Sequence, residues 1–263
     1  MPAWSIEAIT LHRVLVPGPE VFFQRGFNET IELFIHAFLL RDGHGRACLV
    51  DTGLPSDHEA LDRDIRARKG PLSGFVDTGA GLQAELARRA VKPAAILLTS
   101  FGPYATGGLP FLPDVPVHAS ARGCASLVRP EEPALAHPLA GAIHDRLVDA
   151  HRIDGQLEVF PGLTMVEVGV HHPASTAILV ETGAGRIAIA DPVFVRRSLV
   201  DGLALGAAEH AAGWHTMVRK LGRRCDAIIP VHDGLPVPVD RSAWHRVLDE
   251  QADAAQAGPR PLR

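Results

Sequence analysis

The sequence predicts an α+β protein of two facing mixed sheets with helices on both outer sides, and two observations carry this prediction. In each half of the chain, several short strand-like runs of buried residues are followed by helical patterns. No stretch rich in Pro, Gly or Ser separates the two halves. We therefore predict that residues 1–263 form a single domain.

The first half begins with strands. Alternation predicts a strand over Ile6 to Val16, and a β-branched and aromatic run predicts another over Ile31 to Leu40. A helix is predicted over Ser56 to Arg68, because Ser56 fits as its N-cap and Glu59 stands at the capping-box position. The remaining predictions for this half are strands at Ala47 to Val50 and Ala94 to Leu98, and a helix at Gly81 to Val91.

The second half repeats this arrangement. A helix is predicted over Gly206 to Leu221, since Ala207, Trp214 and Val218 fall on one face. A closing helix is predicted over Ser242 to Ala257. Strands are predicted at Leu157 to Phe160, Met165 to Val170, Thr176 to Glu181, Arg186 to Ala190 and Ala227 to Pro230.

Composition excludes several classes of partner. A net charge of −4 and a pI near 6.4, without a block of Lys and Arg, argue against a nucleic-acid surface. The longest apolar run contains Glu32 and His36 and is too short to span a bilayer, and no secretory signal is visible. The three cysteines have no metal-site spacing and predict reduced thiols in a cytoplasmic protein. A small-molecule substrate is the expected partner, and homo-oligomer formation is left open.

Polar and titratable residues cluster directly after the short buried strands. Rigid strand ends position the loops that follow them, so we expect these residues to surround one cleft. They are Asp51, Ser100 to Thr106, His171-His172, Asp191 and His232-Asp233.

Four of these segments, in this order and spacing, resemble the motifs of the metallo-β-lactamase superfamily, particularly its lactonase-like and hydrolase branches. The segments are LVDTGL (49–54), VEVGVHHPAS (166–175), IAIAD (187–191) and IIPVHD (228–233). The resemblance implies a four-layer αββα sandwich. It also implies that His171 and His232 are metal ligands, that Asp191 is a bridging carboxylate, and that the substrate is a small ester, lactone, thioester or amide.

The chain departs from that family at its defining motif, His-x-His-x-Asp-His. Here Ser100, Gly102, Tyr104 and Ala105 stand where the four ligands are expected. Gly102 and Ala105 offer no ligand atom, and neutral hydroxyl groups bind zinc poorly. We therefore expect no dinuclear centre and no cofactor. The alternative is one weakly held divalent ion on His171, Asp191 and His232.

With no dinuclear centre, Ser100, His171 and Asp191 have the parts for nucleophilic or general-base catalysis. Tyr104 is a candidate donor to a developing oxyanion, or a ring that fills vacated space. His232 is a candidate proton carrier or substrate anchor. The expected function is a hydrolase with a degenerate metal site. The alternatives are a single-metal hydrolase and a non-catalytic protein that binds a small molecule or a partner in the same cleft.

Overall fold

The computed structural model describes residues 3–55, 58–127 and 141–246, whose strands form two sheets. The strands of sheet A are β1 (Ser5–Pro17), β2 (Thr30–Arg41), β3 (Ala47–Val50), β4 (Gly74–Thr78), β5 (Ala95–Leu97), β6 (Val117–Ser120) and β7 (His151–Ile153). Their order across the sheet is β4-β1-β2-β3-β5-β6-β7. Strands β3, β5, β6 and β7 run parallel, so their carboxyl ends meet at one edge.

Sheet B contains the remaining strands. They are β8 (Gln156–Phe160), β9 (Leu163–Glu167), β10 (Thr176–Thr182), β11 (Gly185–Ala190), β12 (Ala227–Pro230) and β13 (Val239–Asp240), in the order β13-β12-β11-β10-β9-β8. Strands β11 and β12 are parallel, and the polar loops of this sheet follow their ends.

The helices are short. They are α1 (Gly18–Val21), α2 (Glu59–Lys69), α3 (Leu82–Arg88), α4 (Pro103–Thr106), α5 (Ala121–Ser126), α6 (Gly141–Val148), α7 (Arg196–Val200) and α8 (Trp214–Gly222). Leu86 of α3 and Leu147 of α6 belong to a core cluster with Leu39 and Leu49 of sheet A. Trp214 of α8 belongs to the larger cluster that joins the two sheets. These layers confirm the predicted αββα sandwich.

Strand β2 shows why the sequence forms a sandwich. Phe38 and Leu40 belong to the core cluster between the sheets, whereas Ala37 and Leu39 belong to the cluster under the helices. Successive side chains of a strand point to opposite faces, so a strand that is apolar at every position is buried on both. This pattern places β2 inside sheet A.

The prediction of a helix over Gly206 to Leu221 is wrong in its first half, since α8 begins only at Trp214. Residues 206–213 instead form a loop that ends in a short 3-10 turn. The amides of Gly206 and Ala207 donate to Val21 O (3.3 Å) and Glu20 O (2.7 Å). These contacts with α1 replace intrahelical hydrogen bonds, so tertiary structure overrides the apolar periodicity.

Other boundaries shift slightly. The predicted N-cap Ser56 lies outside the described residues. So does the predicted closing helix beyond its first five residues. At the start of that helix the structure has a 3-10 turn, Arg241–Ala243. The sequence did not predict β4, β6 or β7, which are short. Within the described ranges, no helix has the length and apolarity needed to cross a membrane.

Candidate active site

A cavity of about 160 Å³ lies where strands of both sheets end. Ser100 and Tyr104 reach it from the loop and helix that follow β5. His171 comes from the loop after β9, Asp191 follows β11, and His232 follows β12. The structure thus brings all five candidate residues of the sequence analysis to one cavity.

A hydrogen bond in the cavity joins His171 and Asp191. Nδ1 of His171 lies 2.9 Å from Oδ2 of Asp191, and the hydroxyl of Ser175 donates to the same oxygen. Burial alone would raise the pKa of Asp191, but His171 and Ser175 hold the pKa below its usual value. Because the carboxylate only accepts, Nδ1 of His171 carries a ring proton, and in the neutral ring Nε2 keeps its lone pair.

A tight turn aims the His171 ring. Val170 has φ of +76°, a conformation that is rare for a β-branched residue. Hydrogen bonds from Glu209 N to His171 O (3.1 Å) and from His210 N to Val170 O (3.0 Å) hold the turn in place. Such a strained residue persists only when its surroundings determine it, which points to a positioned side chain.

His172 is the neighbour that the sequence analysis did not include as a candidate ligand. Its buried ring accepts a hydrogen bond at Nδ1 from Ala174 N (3.1 Å), and burial lowers its pKa to about 4. Its Nε2 is buried without a hydrogen-bond partner. Ligand atoms of His171, His172 and Asp191 all lie within 4.8 Å of one another. The signal in the sequence that could have identified His172 is its position next to His171, in the loop that follows a strand.

His232 stands apart from this cluster. Its Nδ1 lies 2.9 Å from Phe34 O and donates to it, so Nε2 keeps the lone pair; burial lowers its pKa to about 4. The Phe194 ring packs edge-on against both His171 (5.2 Å between centroids) and His232 (4.7 Å). A ring that contacts both histidines in this way separates them, which the sequence did not reveal.

The sheet A side of the cavity is organised by the backbone. Asp51, with φ of +59°, accepts from the amide (2.8 Å) and the hydroxyl (2.6 Å) of Thr99. Burial raises the pKa of Asp51 to about 8. Ser100 Oγ accepts from Gly102 N (3.2 Å). In the described part of the chain Ser100 is not hydrogen-bonded to His171, so the hydroxyl, imidazole and carboxylate do not form one continuous relay.

The Tyr104 ring packs edge-on against His232, with 5.8 Å between centroids. Burial raises the pKa of its phenol, and Glu20 adds to this effect, so the hydroxyl keeps its proton. Tyr104 is therefore a neutral hydrogen-bond donor at the cavity wall.

No family model matches the sequence, and no curated protein matches it. Solved structures do match. An N-acyl homoserine lactone hydrolase, with the product N-hexanoyl-L-homoserine bound at its catalytic metal centre, superposes with a TM-score of 0.76 at 15% identity, covering 91% of this chain and 100% of that one. A probable metal-dependent hydrolase from Staphylococcus aureus gives 0.75 at 13% identity, covering 92% and 94%. AidC, a dizinc quorum-quenching lactonase, gives 0.67 at 13% identity, covering 91% of both chains.

These similarities correct the expectation that the site uses no cofactor. The similar structures include a dizinc and a metal-dependent hydrolase, and this chain contains a cluster of potential ligands. The third member of that cluster is His172, whereas the sequence predicted His232 as the third ligand.

The donor set fits one ion better than two. Asp191 is held in its ionised form, and it can share an ion with His171 only where Nδ1 gives up its proton, because Nε2 points away from Asp191. His172 can join only if its Nδ1 gives up the Ala174 hydrogen bond, since Nε2 otherwise carries the ring proton. Across the cavity, Gly102 and Ala105 have no side-chain ligand to offer a second ion.

The resemblance read from the four sequence motifs is confirmed at the level of the fold. The two sheets, their outer helices and the superpositions agree along about nine-tenths of the chain. The chain has the fold of the metallo-β-lactamase superfamily.

Proposed function

We propose that the protein is a hydrolase of a small ester, lactone, thioester or amide, with bond cleavage at the His171–Asp191 pair. The observation that carries this proposal is the hydrogen-bonded series Ser175–Asp191–His171, which opens on the cavity. A carboxylate that orients an imidazole is an arrangement that enzymes use for both base catalysis and metal binding.

Each residue has a distinct role in this proposal. Asp191 and Ser175 are positioning residues, since they fix the tautomer and orientation of His171. His171 presents Nε2 to the cavity. Tyr104 and Ser100 face the same cavity as neutral hydroxyl donors, because the Ser100 oxygen already accepts from Gly102 and its proton remains available. Such donors stabilise negative charge that develops on a carbonyl oxygen.

One divalent ion would fit this site if it took the place of the proton between His171 Nδ1 and Asp191, with His172 as the third member of the cluster. When bound, such an ion would polarise a carbonyl group or acidify a water molecule. His232, which lies outside the cluster, has a neutral ring and an acceptor nitrogen for a substrate hydroxyl or amide group.

The chain's cysteines support a reducing compartment for this activity. Cys48, Cys124 and Cys225 are all free and buried. We propose a cytoplasmic enzyme on this basis.

The test is hydrolysis of p-nitrophenyl esters and simple γ- and δ-lactones by the purified protein, before and after chelation and with added zinc, iron or manganese. We expect turnover that falls by about 10²–10⁴-fold in His171→Ala. The matched control is His245→Ala, an exposed histidine outside the cavity lining whose ring is hydrogen-bonded to Arg241 O. Full activity in His171→Ala would remove the catalytic proposal. It would leave a binding protein on a hydrolase fold.

A further inference from the structure

We propose that the ion pair between Glu20 and Lys69 closes the outer end of the site cavity and restricts the substrate to short, uncharged acyl groups. This inference rests on the proposed hydrolase function. Glu20 enters the description above only through its effect on the pKa of Tyr104, and Lys69 plays no part in the chemistry described there.

The pair lies at the open end of the cavity. Glu20 belongs to α1 and Lys69 is the last residue of α2, and both line the cavity that contains Asp191. Their side chains are 29% and 27% exposed, against 21% for the His171 side chain and 4% for that of Asp191. The carboxylate and ammonium groups are hydrogen-bonded to each other. A substrate tail that extends from the His171–Asp191 pair toward α1 and α2 therefore meets this contact.

Much of the cavity wall is apolar. It includes Val16, Val21, Leu33 and Ile65, together with Ala207 at an exposed position. Among the described lining residues, Lys69 is the only lysine or arginine, and its charge is already neutralised by Glu20. An acyl chain with its own charge would find apolar walls and no free counter-charge, which disfavours its binding.

Both backbones that carry the pair are anchored. Ala207 N donates to Glu20 O (2.7 Å), and a side chain on Gly206 would place its Cβ 1.8 Å from Pro19 O. At the other side, the Ser73 hydroxyl donates to Lys69 O (3.1 Å). The gap between α1 and α2 is thus set by the fold, and only the two side chains bridge it.

The small volume of the cavity is consistent with an outer end that is closed by Glu20 and Lys69. A cavity of about 160 Å³ is below the range of about 300–1,000 Å³ that is usual for drug-sized ligands. The cavity therefore has room for a small ring or a short acyl group beside His171. A longer chain needs the bridge removed.

The experiment compares p-nitrophenyl acetate, butyrate, hexanoate and octanoate across designed pairs of substitutions. Glu20→Ala with Lys69→Ala removes both the bridge and its volume. Glu20→Gln with Lys69→Met removes the charges and keeps the volume. Glu59→Ala with Arg63→Ala removes an exposed ion pair from the same helix, outside the cavity. Exposed ion pairs contribute little to stability, so these variants are expected to fold.

We expect the double alanine variant to raise the hexanoate-to-butyrate ratio of kcat/KM by about tenfold or more. The basis is that each additional buried methylene is worth about 0.8 kcal/mol, or about fourfold. The other two pairs should leave the ratio near that of the wild type. An unchanged ratio in the double alanine variant would overturn the closure, and so would an equal shift in the volume-matched pair.

A binding measurement separates this inference from the proposed function. If the wild type hydrolyses none of the esters, the hydrolase proposal fails. Whether the Glu20–Lys69 pair closes the cavity is then tested by saturation-transfer NMR, which detects binding of the uncharged probes butanamide and octanamide. Closure predicts that the wild type binds butanamide only and that the double alanine variant binds both. Any other pattern overturns it.

Discussion

The two sheets end at the same cavity but contribute to it in different ways. On the sheet B side, side chains bond to one another, as Ser175, Asp191 and His171 do. On the sheet A side, side chains bond mainly to the backbone, as Ser100 does to Gly102 and Thr52 does to Ala105. The difference shows that a loop at a two-sheet site can be held by its own backbone contacts, whichever side chains it presents to the cavity.

The reason lies in what holds the sheet A loop. The Thr52 hydroxyl donates to Ala105 O (2.7 Å) and accepts from Gly108 N (3.1 Å). A Cβ on Gly107 would lie 2.1 Å from Pro55 N, so the loop packs directly on the neighbouring backbone. None of these contacts needs a ligand side chain at Ser100, Gly102, Tyr104 or Ala105.

The largest expected effect is on catalysis, and it separates the two sides. Asp191→Asn should lower kcat/KM by about 10²–10⁴-fold, because an amide group facing Nδ1 would move the His171 ring proton to Nε2. Ser100→Ala should lower it by about tenfold at most, the value of one neutral hydrogen bond. Steady-state kinetics of both variants checks this. A larger loss in Ser100→Ala than in Asp191→Asn would reverse the comparison.

Metal content tests the same contrast without any substrate. We expect protein purified with excess zinc to retain a single ion per chain, and His171→Ala to lose it because the ligand atom is gone. Ser100→Ala should retain the ion. Elemental analysis after desalting is the measurement. If the wild type retains two ions and Ser100→Ala retains only one, the sheet A loop binds metal and the prediction fails.

Acid stability should depend on the sheet B side. His232 has a pKa lowered to about 4 in the folded protein, against about 6.5 when unfolded, so the unfolded state binds more protons between these values. Its contribution is complete above about pH 6.5, and about 3 kcal/mol is lost as the pH falls to about 4. His232→Asn, whose amide can still donate to Phe34 O, should flatten this part of the curve. Urea unfolding at several pH values checks it.

Asp51, on the sheet A side, should make the free energy of unfolding depend on pH in the opposite direction. Asp51 has a pKa raised to about 8, so the folded state holds a proton that the unfolded state releases above about pH 4. Its effect is to lower stability as the pH rises from about 4 to 8. Asp51→Asn should remove that decline. If Asp51→Asn leaves the slope between about pH 4 and 8 unchanged, Asp51 is ionised in the folded protein.

The smallest expected effect concerns Tyr104. Tyr104→Phe removes one hydroxyl and keeps the ring that packs against His232. We expect kcat/KM to fall by about two- to tenfold with no change in the free energy of unfolding. A loss of stability with unchanged kinetics would instead make Tyr104 a space-filling ring.

Much of the site could be predicted from strand ends. His171, Asp191 and His232 each follow a short buried strand, and that position alone indicated a shared cavity. Ser175 was within a recognised motif but had no signal of its own, because its role depends on the Asp191 oxygen that it meets. Phe194 separates two histidines that are distant in sequence, which no local pattern encodes.

The sequence by itself determined the sandwich, since alternation and buried runs decide which faces of each strand avoid water. It also determined that Gly102 and Ala105 have no side-chain ligand atom, since residue identity is visible without coordinates. Only the tertiary structure decided where α8 begins, which nitrogen of His171 faces the cavity, and that Glu20 meets Lys69. These features depend on contacts between segments far apart along the chain, and local propensity carries no information about them.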